Sequence, residues 1–525
     1  MEKCTETETM SEDWASLISH LEERREWALR AGGQRRIDRE HALGRLTARE
    51  RIDRLADPGT FVEFGMFVTT PSVEGEMPPS FLCGLARVDG RLVAIGAEDF
   101  TVQGGGTGMH LSKVKGGWGG FIEEVAYTYR VPLILLIHGV GGTVAIQEEI
   151  GYPHLVSAEP IFPIAELLTR VPVIAAVMGP TAGSSAARAG MSHFSVMTKD
   201  QACLFAGGPP LVKQALGLDI DKLDLGGSQI HTVYSGLIDN EAIDDEDAID
   251  QARIFLEYMP GSVDELPPRA PFVKSLERQG NTLLDLMPTD TRAPFDVRPI
   301  VEEIVDEDSF FEVAENFGDA VITGMARIGG YPVGVIASNP LVNAGALDRP
   351  ASEKQARFTQ MCDTFHLPIV YFADVPGFMI GPEAERSGVM RAGIRAVHAI
   401  QMVTVPVYTI QIRRSYGLAA AATGNANPQS MHFAWPTGIW GDLPLEAGLE
   451  AAHGAELAAA EDPEALRAEL KTRYENQNSP WRTIKKFGIE DIIDPRDTRM
   501  RLFSMLELAG ASAKAGEKNG PTYRP

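Results

Sequence analysis

Apolar and polar positions along this chain change in blocks rather than residue by residue. Uninterrupted apolar runs at 132–137 and 173–178 read as strands buried on both faces, because a strand with one wet face would alternate. A shorter β-rich stretch, Leu92-Val93-Ala94-Ile95-Gly96, precedes them. Residues from about 11 to 56 read as helical. Within them Thr47-Ala48-Arg49-Glu50 has the spacing of a capping box, in which hydroxyl and carboxylate each satisfy a backbone N–H at the helix start. Strand and helix segments then alternate, which argues for α/β layers rather than a sandwich. Residues 446–475, rich in Ala, Glu and Leu, read as one helix; residues 1–10 and the last residues of the chain read as loose tails.

The pattern occurs twice. Val171-Pro172-Val173 is followed by Gly179, Gly183 and Gly190, and Val405-Pro406-Val407 by Gly417 and Gly424, so that 172, 183 and 190 recur 234 residues later at 406, 417 and 424. Val131-Pro132-Leu133-Ile134 is echoed by Leu367-Pro368-Ile369-Val370. Upstream, Gly59-Thr60-Phe61-Val62-Glu63 matches Asp308-Ser309-Phe310-Phe311-Glu312, and Gly84-Leu85-Ala86-Arg87 matches Gly324-Met325-Ala326-Arg327. A period this long marks a duplicated domain, not a solenoid. The proline-rich stretch Met259–Pro271 is the natural boundary, giving an N-terminal domain over 1–270 and a C-terminal domain over 271–525. Two similar domains in one chain suggest an enzyme with two substrates.

Composition narrows the classes. A net charge of -24 disfavours nonspecific binding to nucleic acid or acidic membrane, so an anionic ligand has to be met by local positive groups. Cys4, Cys83, Cys203 and Cys362 are too scattered for a disulfide framework and form no CxxC pair, which fits a reducing cytoplasm. No apolar run reaches membrane-spanning length and the acidic N-terminus is unlike a signal peptide. The expectation is a soluble cytoplasmic protein without nucleic-acid or membrane partners.

Side-chain chemistry is sparse. There is no GxSxG elbow, no HExxH and no metal-ligand spacing, so no metal is expected. His138, His154, His231 and His432 are scattered and read as structural; Asp374 reads equally as a turn former or a catalytic carboxylate. What remains is backbone. Gly179-Pro180-Thr181-Ala182-Gly183-Ser184-Ser185 follows a strand and opens a small-residue helix, where unpaired N–H groups can hold an oxyanion. Arg414-Ser415-Tyr416-Gly417-Leu418-Ala419 repeats it in register, although close helix–strand packing demands small residues too. Gly139-Val140-Gly141-Gly142-Thr143 and Val375-Pro376-Gly377-Phe378-Met379 fall at strand carboxyl ends, where α/β sheets bind ligands. The run Gly104–Gly108, trailed by Lys113 and Lys115, is a further candidate cradle for an anionic group.

These segments resemble the carboxyltransferase (beta) subunits of biotin-dependent acyl-CoA carboxylases, the family of propionyl-CoA, methylcrotonyl-CoA and geranyl-CoA carboxylases. The resemblance rests on Leu46-Thr47-Ala48-Arg49-Glu50-Arg51-Ile52-Asp53, Gly207-Gly208-Pro209-Pro210-Leu211-Val212-Lys213 and Leu225-Gly226-Gly227-Ser228. It continues in Ala351-Ser352-Glu353-Lys354-Gln355-Ala356-Arg357-Phe358 and Asp374-Val375-Pro376-Gly377-Phe378, and spans roughly 25–445. The Gly-Pro-Pro-Leu-Val-Lys run and the Gly141-Gly142 loop look closer to the methylcrotonyl/geranyl branch.

The resemblance implies two crotonase-like ββα-spiral domains with helical N- and C-terminal extensions, and a homo-hexamer built as a trimer of dimers. It implies an active site between the N-domain of one subunit and the C-domain of another, with acyl-CoA on the N-domain side and carboxybiotin on the C-domain side. By position, the N–H groups of Gly183 and Ser184 would hold the thioester oxyanion, and those of Leu418 and Ala419 the biotin ureido oxygen. Gly141, Gly142, Gly417, Lys113 and Lys115 would line the substrates. The chain carries no ATP-grasp half and no Ala/Val-Met-Lys-Met biotin attachment motif. A separate biotin carboxylase and biotin carrier are therefore implied as partners.

Departures from the family pattern fall at both turns. Ser184 and Leu418 stand where a glycine is usual, and a side chain there narrows the approach and penalises a positive φ. Val140 replaces a common serine, Gly141-Gly142-Thr143-Val144 departs from the usual Gly-Gly-Ala loop, and Trp440-Gly441-Asp442-Leu443-Pro444 replaces a small Met-Gly segment. Two alternatives stay open: the carboxyltransferase component of a biotin-dependent decarboxylase or transcarboxylase, and a catalytically silent scaffolding subunit.

Overall fold

A computed structural model describes residues 13–70, 75–105, 120–140, 162–272, 281–290, 292–475, 479–516 and 523. Among the described residues seventeen strands, β1 to β17, form two large mixed sheets and one small one. The first sheet runs β1-β2-β3-β4-β5-β7-β9: Val62–Phe64, Phe81–Val88, Arg91–Glu98, Leu133–Ile137, Val173–Val177, Phe194–Thr198 and Asn240–Ala242. The second runs β10-β11-β12-β13-β14-β15-β17: Phe311–Val313, Val321–Ile328, Tyr331–Ser338, Ile369–Val375, Val407–Tyr416, Met431–Ala434 and Asp491–Ile492. In each, two antiparallel pairings are followed by parallel ones. The expected apolar runs are the buried β4 and β5.

The duplication extends to individual hydrogen bonds. The carbonyls of Pro132 and Pro172 accept from Ala94 N and Leu133 N, and those of Pro368 and Pro406 accept from Gly334 N and Ile369 N. Each proline sits just before its strand, where its missing N–H breaks no ladder bond and its carbonyl still locks the neighbour. Arg49 pairs with Glu63 as Arg298 pairs with Glu312. The carboxylates of Asp57 and Asp306 each accept two backbone N–H groups of the turn joining the long antiparallel strands. An added Cβ at Gly84 would meet the Phe61 ring, and one at Gly324 the Phe310 ring.

The helix Ala48–Leu55 carries the full reciprocal capping box of Thr47 and Glu50. At the other end of the chain the expected single helix is two, Leu445–Ala459 and Pro463–Glu475. Pro463 opens the second, a position where its lacking N–H is harmless and where it cannot continue a preceding helix. The pair pack through Leu449, Leu457 and Leu470. The end of the chain is not wholly loose: Thr498–Ser512 is helical, and Tyr523 is buried with its hydroxyl donating to Ser192 O.

The two sheets share one core. Phe194 of the first sheet meets Phe311 of the second edge-on, and the Arg357 guanidinium pairs with Asp239. Asn240 donates to Glu312 O and accepts from Ala314 N. No described helix is long and apolar enough to cross a membrane.

Candidate functional site

In the first half β5 ends at Val177, and the chain forms the short strand β6, Pro180–Ala182, paired with β8, Cys203–Phe205. Gly183 follows with φ 69° and ψ -128°, and the helix Ser184–Gly190 begins. Gly183 is exposed and Ser184 half-buried. The first N–H groups of a helix have no acceptor within it, so this turn presents backbone donors at its mouth.

Beneath the turn lies a buried polar bracket. Glu98, at the end of β3, accepts from Ser185 Oγ at 2.5 Å and from His138 N at 3.0 Å, tying the helix start to the end of β4. Arg188 stands 3.9 Å from Glu98 and pairs with Glu123. Burial pushes the Glu98 carboxyl up to about 6, partly opposed by Arg188 and by both hydrogen bonds. Arg51 donates to Asp245, to Met178 O and to His138 Nδ1, which leaves the imidazole proton on Nε2. Burial and the Arg51 charge hold His138 well below the ordinary histidine range, so it stays neutral. Close approach here excludes side chains: an added Cβ would meet the His138 ring at Gly179 and the Glu98 carboxylate at Gly139.

In the second half β14 runs unbroken to Tyr416 and pairs with β16, Ile439–Gly441, along its last residues. Gly417 follows with φ 61° and starts the single turn Gly417–Ala420. Gly417 and Leu418 are exposed, Ala419 is buried. Asp374, at the end of β13, is the brace. Its Oδ1 accepts from Arg414 N at 2.9 Å and Arg414 Nε at 2.8 Å, and its Oδ2 from Arg413 at 2.7 Å. Gln411 Nε2 donates to Ala373 O, Arg413 O and Arg414 O, fixing the same strand end. With two guanidiniums on it, Asp374 is a holding carboxylate rather than a free base. The unusual Trp440-Gly441 pair lies in this neighbouring strand, and the O of Asp442 just beyond it lies 3.2 Å from where a Cβ at Gly417 would stand.

Gly183 with Ser184, and Gly417 with Leu418 and Ala419, thus occupy matching turns on different sheets. No described hydrogen bond joins one turn to the other. Neither Ser184 nor Leu418 has a positive φ; that conformation falls one residue earlier, on the retained glycines. The φ penalty expected for the two replacements does not arise. Gly141, Gly142, Lys113 and Lys115, with Thr143 and His154, lie outside the described residues. His231 is lowered by burial, and His432 is lowered to about 4 by burial. Among the described residues no group of three or more His, Cys, Asp or Glu side chains is placed to hold a metal. Glu98, Arg51, Arg413 and Gln411 were not singled out from the sequence. For Glu98 the available signal was a carboxylate closing an apolar run, as at Ala97-Glu98 and Ala373-Asp374.

The carboxyl transferase domain family matches residues 39–519. The carboxyltransferase subunit of propionyl-CoA carboxylase from Haloferax mediterranei is 34% identical over 509 residues, covering 95% of this chain and 97% of that one. The methylmalonyl-CoA carboxyltransferase 12S subunit of Propionibacterium freudenreichii subsp. shermanii is 33% identical, with 94% of each chain covered. A crystal structure of transcarboxylase 12S, a hexamer with methylmalonyl-coenzyme A and methylmalonic acid bound, superposes with a TM-score of 0.90 at 30% identity, over 98% of this chain and 99% of that one. These relatives are of propionyl-CoA and methylmalonyl-CoA type, whereas the Gly207–Lys213 run pointed to the methylcrotonyl/geranyl branch. Family and fold agree along nearly the whole length: the chain is a member of the carboxyl transferase domain family, with the duplicated, crotonase-like α/β fold of the biotin-dependent carboxyltransferases.

Proposed function

We propose that this chain is the carboxyltransferase subunit of a biotin-dependent acyl-CoA carboxylase, acting on a short acyl-CoA of the propionyl type. The observation that carries the reading is the pair of positive-φ glycines, Gly183 and Gly417, each opening an exposed turn at the same register of its half. Removing a proton beside a thioester builds negative charge on the thioester oxygen, and the N–H groups of Gly183 and Ser184 would stabilise it. Preorganised donors of this kind are worth on the order of 100- to 1000-fold in rate apiece. The Leu418 and Ala419 N–H groups would take the ureido oxygen of carboxybiotin.

The donor set fits that role: backbone N–H groups on an exposed turn, with Gly417 leaving the approach open. Carboxybiotin, delivered on a separate carrier, supplies the carboxyl group and then a base. The chain's own task is to orient the two reactants and to stabilise charge, with Glu98 and Asp374 keeping the turns in place from below. Assembly as a hexamer, with the site shared between subunits, and the biotin carboxylase and carrier as partners, belong to the same proposal. Gly141, Gly142, Lys113 and Lys115 are proposed as substrate-lining groups, and 1–270 and 271–525 as the acyl-CoA and carboxybiotin domains.

The test is fixation of labelled bicarbonate on a panel of CoA thioesters by the purified chain with its biotinylated partner and ATP. Incorporation led by propionyl-CoA is expected; no incorporation on any thioester ends the proposal. The likeness to transcarboxylase 12S favours a second reading, in which the carboxyl donor is itself a CoA thioester. Carboxylation of the biotin carrier by methylmalonyl-CoA without ATP, and none by bicarbonate with ATP, selects it.

A further inference from the structure

A cavity lies between the two sheets, and none of the glycine-turn residues lines it. Its volume is about 460 Å³, and it meets the first half at Gly190 and His193, the opposite end of the helix that Gly183 opens. Its walls are mixed, with Leu237, Val313, Phe317, Phe358 and Met361 forming the apolar part. Three cations also line it: Lys354 and Arg357, on the helix Arg349–Thr364, and Arg395, on Val389–Met402. Alanines 356, 396 and 399 let these helices pack closely.

The polar groups of the wall can be accounted for one by one. Asp239 is taken by Arg357 and Ser195 N, Glu353 by Arg349, and Thr323 Oγ donates to Val313 O. Tyr523 donates to Ser192 O; His193 bonds Val173 N and Leu168 O; His231 bonds Leu204 O and Ser235 Oγ. Lys354 Nζ and Arg395 Nε are left buried with no hydrogen-bond partner among the described residues. Lys354 is 5% exposed, and neither residue has an ion pair there. Burial lowers the Lys354 ammonium to about 8, opposed at longer range by Glu312, Asp319 and Asp239, none of which reaches ion-pair distance. A buried ammonium without a direct partner destabilises a fold unless an anion meets it.

We propose that this cavity binds an organic carboxylate with an apolar body, its head on Lys354 with Arg395 adding positive charge, as a ligand site separate from the acyl-CoA and carboxybiotin turns. A pocket of a few hundred Å³ with apolar walls and a few convergent polar groups is the usual form of a small-molecule site.

Calorimetry on the full chain with octanoate, octan-1-ol and inorganic phosphate tests it. Saturable octanoate binding is expected, with octan-1-ol at least about tenfold weaker, as is Lys354→Met or Arg395→Gln with octanoate. Lys354→Met should melt no lower than the native chain without ligand, because methionine fills the space without a charge, so loss of binding cannot be put down to misfolding. Three results overturn the proposal: equal binding of octan-1-ol, phosphate binding tighter than octanoate, or no saturable heat. Binding that survives both substitutions and is displaced by acyl-CoA overturns it too, by placing octanoate at the other site.

Discussion

Two glycines carry the backbone conformation of the proposed site, and their neighbours do not. Gly183 and Gly417 sit at φ 69° and 61°, whereas Ser184 and Leu418 take ordinary negative φ. An alanine held at these positive φ values costs about 1–3 kcal/mol, and relief of that strain would swing the turn's N–H groups away. Gly183→Ala and Gly417→Ala should therefore each lower carboxyl transfer by roughly 10- to 100-fold with little change in melting temperature. Ser184→Gly and Leu418→Gly should stay within about threefold of the native rate, since no strain is relieved. Steady-state assays beside thermal melts separate the two pairs. The sequence made these turns visible through their repetition but could not say which glycine bears the positive φ, because that depends on where the helix starts. Glu98 was hidden for another reason: its partners Ser185 and His138 lie far from it along the chain. Its carboxyl, raised by burial from the unfolded value to about 6, binds the proton more tightly when folded. Its contribution to stability is thus full below about pH 4.5 and lost as pH rises through about 6. Chemical denaturation from pH 4 to 7 should show Glu98→Gln gaining on the native chain by about 2 kcal/mol across that interval. Glu98→Ala, which removes both hydrogen bonds, should lose turnover by about tenfold or more at every pH.

At the scale of elements, the halves share a plan but differ in how the last strand reaches its turn. In the first, β5 stops and β6 takes over beside β8; in the second, β14 runs through ten residues and serves β15 and then β16. The strand cores were legible from apolar runs and from the prolines before them. This continuity was not, since Arg414-Ser415-Tyr416 reads as part of the glycine turn rather than of the strand before it. Arg413 and Arg414 are held in the strand because Asp374 accepts hydrogen bonds from both guanidiniums and from Arg414 N. The single helix expected over 446–475 breaks for a local reason, Pro463, which the Ala/Glu/Leu composition outweighed. Removing the brace leaves Arg413 buried without a counter-charge. Asp374→Ala should destabilise the chain by about 3–5 kcal/mol, the usual consequence of stripping one partner from a buried pair. Asp374→Asn keeps an acceptor for Arg414 N and should cost less. Urea titration of the three proteins orders them, and equal midpoints would remove Asp374 from the scaffold.

The whole molecule is a duplication folded into one body, and that relation was readable because corresponding prolines and glycines keep their spacing. What joins the halves was not readable: Arg357 to Asp239, Asn240 to Glu312 O and Ala314 N, Tyr523 to Ser192 O are contacts between distant points of the chain. Within one chain the two glycine turns stand on separate sheets, with no described hydrogen bond between them. A reaction that needs both turns at once is readily met if the first turn of one subunit faces the second turn of another. Symmetry makes this measurable. In a dimer with two-fold symmetry each shared site takes one half from each subunit. Co-expressing Gly183→Pro with Gly417→Pro then yields mixed dimers in which one site has both native turns and the other has neither. Random mixing makes about half the dimers mixed, each with one of its two sites intact, so about a quarter of native activity should return from two inactive parents. If both turns of a site come from the same chain, every site carries one damaged turn whatever the mixture, and activity stays at the level of the parents. Recovery near a quarter, read against separately purified parents of native assembly state, would place the reaction on the boundary between subunits.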